Sequence, residues 1–158
     1  MTKDEVIDKL GLEPLVGEGG FVKEMFRGEE INGRQSYGTI YYLLTQDSCS
    51  LMHKLDADEV WYYHDGPALE MLLIYEDHGE VRYLGKDLLK GEEPQILVPK
   101  GVWQGSHMAY EGEYTLVSTS MSPAYDKKGF ILGIYKELKD KTQHKDLLRK
   151  LCGGQEYR

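Results

Sequence analysis

The segment HKLDADEVWYYHDGP brings His53, Glu59 and His64 close together ahead of a Gly66-Pro67 turn. An imidazole beside a carboxylate can move a proton near neutral pH, because burial and a neighbouring charge tune the histidine toward its working range. The same groups can ligate a divalent metal if further strong donors join them. A purely structural reading is also open, with His53 a core histidine satisfied by Glu59. Side chains two apart on a strand share a face. Trp61 and Tyr63 therefore project with Glu59, Leu55 projects with His53, and His64 faces outward on a regular strand.

Short strands must position these groups. Strand-like runs fall at 39–45, 50–55, 60–64, 69–76, 80–84, 95–98, 103–110 and 114–121, and Tyr42 would line a cavity from the first of them. Turn signals at Asp65-Gly66-Pro67, Asp77-His78-Gly79, Lys100-Gly101 and Glu111-Gly112 separate them. Such spacing with little helix predicts an antiparallel sandwich or barrel at about residues 20–134. The stretch GEGGFVKEMFRG reads as a further strand of mixed faces, with Glu24 and Arg27 at the pocket rim, paired across a dimer, or joined in a surface salt bridge. Thr2 and Glu5 form a capping box for a helix over 2–10, and Gly11 can stop it. Thr142 is placed to cap a second helix over 143–152, where Leu147, Leu148 and Leu151 make one stripe. Without repeats or linkers, residues 1–158 are read as one domain.

Composition narrows the partners. A net charge of −8 over 158 residues opposes binding to a nucleic-acid backbone or an anionic membrane. Cys49 and Cys152 are too few and too far apart for a disulfide framework. The N-terminus MTKDEVIDKL carries no secretory apolar stretch, and the run MLLIY at Met71–Tyr75 falls far short of the ~20 residues a membrane span requires. A cytoplasmic protein with a small-molecule ligand is expected.

The spacing His53…Glu59…Gly66, followed by Pro99-Lys100-Gly101 and Val102-Trp103-Gln104, resembles the two cupin motifs. LGLEPLVGEGGFVKEMFRG, GTIYYLL, LVPKGVWQG and YTLVSTSMSPAYDKKGF extend the resemblance from Leu10 to about Phe130, toward a small-cupin subfamily of mostly uncharacterised members. It implies an all-β fold, a double-stranded β-helix or jelly-roll barrel with short N- and C-terminal helices, a pocket in its mouth, and a homodimer. Metal-binding cupins offer two histidines two apart and a third in the second motif. Leu55 and Gln104 stand at two of those positions here. His53, Glu59 and Gln104 would be the metal set for Zn, Mn, Fe or Ni, with His64 or His107 able to join only if a bulge reversed its facing.

By analogy with metal-free epimerases of the same superfamily, His53 would be the base and Glu59 its orienter, with a pocket tyrosine as acid. Tyr42, Trp61, Tyr63, Gln104 and Glu24 would contact the substrate. Three functions follow as expectations: a metal-independent isomerase or epimerase acting on a sugar-like or small polar substrate, a metal-dependent dioxygenase-like enzyme, and a non-catalytic sensor.

Overall fold

Thr2 opens the chain's first helix, α1 (Lys3–Leu10), by accepting from the Glu5 amide while the Glu5 carboxylate takes the Thr2 amide; Gly11 closes it at φ 67°. The computed structural model describes residues 1–153. The strands that follow are β1 (Glu13–Pro14), β2 (Phe21–Arg27), β3 (Glu30–Ile31), β4 (Arg34–Gln35), β5 (Gly38–Leu44), β6 (Cys49–Lys54) and β7 (Asp58–Asp65). They continue as β8 (Leu69–Ile74), β9 (Gly79–Leu84), β10 (Gln95–Val98), β11 (Trp103–Met108), β12 (Thr115–Ser122) and β13 (Ile131–Leu132), before helices α2 (Tyr135–Leu138) and α3 (Lys145–Leu151).

The strands form a six-stranded sheet in the order β1-β2-β5-β12-β7-β10 and a five-stranded sheet in the order β13-β6-β11-β8-β9. Pairing is antiparallel throughout both. This is the all-β, double-stranded β-helix expected. Its inner faces meet in a core of Tyr42, Leu44, Trp61, Leu69, Met71, Leu73, Ile96 and Val117. Alternation explains why β8 reads as one apolar run. Met71 and Leu73 face that core, while Leu72 and Ile74 face outward beneath α2 and α3, where Leu138, Leu148 and Leu151 cover them. On the opposite side α1 packs Val6 against Leu43 and Tyr114.

Several local readings change. The second terminal helix begins at Lys145, because the Thr142 hydroxyl accepts from the His144 amide one turn earlier. The stretch at 17–20 is a glycine turn rather than the start of β2. Asn32 and Gly33, both at positive φ, turn a small hairpin between β3 and β4; the Asn-Gly pair is its sequence signal.

A register shift between β6 and β11 positions the site. Gln104 lies opposite His53, but Ser106 lies opposite Ser50, so β6 spends one residue more than its partner. The bulge lets both Ser50 and His53 face inward despite their odd spacing, while Met52 between them packs outward beneath the helices.

Candidate functional site

A cavity of about 170 Å³ opens between the sheets. Its depth is lined by Tyr42, Leu55, Glu59, Trp61 and Thr119, and its mouth by Phe26, Arg27 and Tyr125, with Glu18 closing one wall. The sheet geometry dictates this set. Ile40 and Tyr42 come from the inner face of β5, Glu59 and Trp61 from β7, and Thr119 and Met121 from β12 between them. Leu55 lines the cavity two residues beyond His53, where a second histidine would stand in a metal-binding relative.

His53 is 1% exposed and sits behind the cavity wall. Its Nδ1 lies 2.7 Å from the Leu51 carbonyl. A carbonyl only accepts, so Nδ1 carries the proton of the neutral ring and Nε2 presents a lone pair. Nε2 meets Glu18 Oε1 at 3.4 Å, and Phe130 stacks on the ring. Burial lowers the imidazole below its ordinary value, opposed by the charge of Glu59 and the Leu51 carbonyl.

Glu18, which the sequence reading passed over, is therefore the carboxylate in contact with His53. It belongs to the turn VGEGG, pinned by hydrogen bonds from the Leu51 amide to the Glu18 carbonyl, from the Gly19 amide to Leu15, and from the Tyr42 hydroxyl to the Gly19 carbonyl. Gly19 stands at φ 99°, where a Cβ would meet the Cys49 carbonyl oxygen at 2.0 Å, so only glycine lets this turn approach β6. One acid between glycines was the available signal. Burial raises the Glu18 carboxyl to about 7.

Glu59, also buried, is held by different groups. Gln104 Nε2 donates to its Oε1 at 3.0 Å, and the Trp61 indole N–H donates to Gln104 Oε1 at 3.0 Å. Because an indole N–H can only donate, the amide must turn its oxygen to Trp61 and its nitrogen to Glu59. Burial raises the Glu59 carboxyl; the positive form of His53 and hydrogen bonds from Thr119 and Gln104 oppose the shift, while Glu18 reinforces it. Trp61→Phe should strand the Gln104 oxygen and cost about 1–3 kcal/mol, read as a lowered denaturation midpoint.

These contacts revise the expected roles. The orienter of His53 is the Leu51 carbonyl rather than Glu59. Tyr42 lines the cavity, but its hydroxyl proton is donated to the Gly19 carbonyl rather than directed at the cavity, and burial raises its pKa. Tyr63 lies outside the cavity lining, with its hydroxyl donated to the Gly66 carbonyl at 2.6 Å. Gln104 stands behind Glu59 and Trp61 rather than on the wall. Glu24 lines the rim and pairs with Arg27.

The expected metal set does not fit. Gln104 turns its oxygen away to Trp61, Leu55 replaces an imidazole, and His53 Nε2 faces Glu18. Neither spare histidine joins. His64 lies at a bulge in β7 yet faces out to Ser118 Oγ at 2.6 Å, and His107 pairs on the outer face with Glu70 Oε1 at 2.6 Å. Among the described residues, no group of three His, Cys, Asp or Glu side chains could hold a metal ion. Nor is any helix among them long and apolar enough to cross a membrane.

A closed antiparallel jelly roll with a pocket in its mouth defines the cupin class. Residues 4–133 match the family described as Cupin superfamily (DUF985), and the chain belongs to that family. It is similar to a structurally determined protein of Shewanella oneidensis at 39% identity and TM-score 0.88, covering 96% of this chain and 97% of that one. A hypothetical protein from Leishmania major is 29% identical over 100% of both chains, with TM-score 0.83. Oxalate decarboxylase from Bacillus subtilis shares the fold at 11% identity and TM-score 0.59, over 90% of this chain and 34% of that one. No curated protein matches the sequence.

Proposed function

We propose that this cupin is a metal-independent isomerase that moves a proton on a small molecule bound in the barrel mouth. The observation that carries the reading is the contact of Glu18 Oε1 with His53 Nε2 at the wall of a cavity, with the Glu18 carboxyl poised at about 7. A base works best when its pKa lies near the operating pH, where it is both deprotonated and basic enough to take a proton. Glu18 lines the cavity, so it is the catalytic group; His53, behind it, is the positioning and proton-holding partner.

The Glu18 carboxylate takes a proton from a carbon next to a carbonyl, and the electron pair moves onto the carbonyl oxygen. The proton is shared with His53 Nε2, whose Nδ1–H stays on Leu51. Where the first carbon bears a hydroxyl, that hydroxyl passes its proton to the enolate oxygen and becomes the new carbonyl as the proton taken from carbon returns to the former carbonyl carbon. The isomerisation then completes with no net change in atoms or electrons. Glu59 anchors the ligand, fixed by Gln104 and Trp61. A cavity of about 170 Å³ admits roughly one ring, since a void of about 150 Å³ holds benzene.

Chelator-treated protein should wash deuterium from D2O into a carbon of some member of a panel of small hydroxy- and amino-carbonyl compounds, followed by NMR. Exchange that appears only after a divalent metal is restored would instead support the metal-dependent reading. Binding without exchange across the panel would leave the pocket a sensor.

A further inference from the structure

Deep in the cavity the hydrogen-bond donors are already spent. The Trp61 N–H goes to Gln104, a Gln104 N–H and the Thr119 O–H to Glu59, the Tyr42 O–H to the Gly19 carbonyl and the His53 Nδ1–H to the Leu51 carbonyl. What remains toward the cavity is carboxylate oxygen from Glu18 and Glu59 and the ring surface of Trp61. Arg27, the basic side chain of the lining, lies at the rim and is bound to Glu24 and Gln35. Thr39 and Tyr125 contribute their hydroxyls nearer the mouth. Glu59 is 6% exposed and, among the described residues, forms no ion pair; neutral donors hold it. A carboxylate buried without a cation is costly and is driven toward its neutral form, and a cation that would keep Glu59 ionised has one open direction from which to arrive.

We propose that the ligand is a small organic cation: a protonated amine carried on one ring or a body of similar bulk. The inference rests on the pocket being the ligand site and adds the chemical class of what enters it. An ammonium group supplies the donors that the cavity floor lacks and the charge that pairs with an ionised Glu59. The aromatic lining, Trp61 with Tyr42 set edge-to-face against it, accepts the ring and attracts the cation. The apolar side chains Leu15, Val22, Ile40, Leu55 and Met121 surround the body. A carboxylate or phosphate ligand would meet the carboxyls of Glu59 and Glu18 and find, among the described residues, no cation in the depth of the cavity to pair with.

The test uses three single-ring probes of similar size on the full-length, chelator-treated protein: benzylamine, benzyl alcohol and benzoate. Calorimetry and tryptophan fluorescence should rank benzylamine at least about tenfold tighter than benzyl alcohol, with benzoate weakest, the margin of one charge-assisted hydrogen bond. Glu59→Gln should lower benzylamine affinity about tenfold and leave benzyl alcohol unchanged. Glu111→Gln, which removes the same charge from an exposed turn, should alter neither. Benzoate binding as tightly as benzylamine would overturn the inference, as would benzylamine affinity that survives Glu59→Gln or falls equally with Glu111→Gln. Should Glu59→Gln fail to fold, the ranking on the wild-type protein decides alone. The deuterium experiment is a separate readout. Exchange without amine preference removes only the ligand class, and amine preference without exchange removes only the proton transfer.

Discussion

Glu18→Gln should lower the rate of deuterium exchange by about a hundred- to ten-thousand-fold, the contribution of a positioned general base. The substitution keeps the size of the side chain. It also keeps the turn, because the Leu51 amide donates to the Glu18 backbone carbonyl and Tyr42 donates to that of Gly19. What it removes is the group at the cavity wall that titrates at about 7. Unchanged circular dichroism and an unchanged Kd for the neutral probe benzyl alcohol alongside the lost rate would identify a base rather than a scaffold. His53→Gln should give a smaller loss and move the pH profile, since in the proposed reaction His53 acts through Glu18. Exchange that survives Glu18→Gln but not Glu59→Gln would reassign the base to Glu59.

The second large effect is on stability against pH. Burial raises the Glu18 carboxyl from 4.5 to about 7, so the folded protein holds a proton there that the unfolded chain has released. Stability from this group is complete below about pH 4.5 and is lost as pH rises through about 7. The loss is bounded at about 3 kcal/mol, one pKa unit being about 1.4 kcal/mol, and the 20% exposure of the side chain trims it. His53 acts in the opposite sense. Its lowered pKa supplies stability above 6.5 that is lost as the unfolded chain takes up a proton below it. The two overlap in the wild type, so the comparison with Glu18→Gln isolates the acid. Wild type should lose up to about 3 kcal/mol relative to the variant between pH 4.5 and 7, read from urea midpoints at each pH. A constant difference across that range would place Glu18 in water.

Strand positions were legible because each strand of a two-layer barrel must alternate or be covered on both faces. Trp61 follows Glu59 into the cavity by simple parity, and Leu72 and Ile74 interrupt the alternation of β8 only because α2 and α3 lie over them. The capping box at Thr2 and Glu5 was equally local. Tyr63 shows where parity stops: facing inward does not say how far along the barrel a ring lies, and this one lies outside the cavity, with its hydroxyl on Gly66. The bulge in β6 was invisible because its register belongs to two strands far apart in the chain.

The cupin motifs and the strand alternation by themselves determined the fold and the inward placement of His53 and Glu59, because both are written in residue spacing along single strands. The partnerships were decided only in three dimensions. Glu18 lies 35 residues from His53 in sequence and reaches it because a glycine turn at φ 99° folds onto β6. Gln104 turns its nitrogen to Glu59 because a donor-only indole from another strand claims its oxygen. Hydrogen bonding is directional and short in range, so which groups share a proton depends on distances that no spacing along the chain encodes.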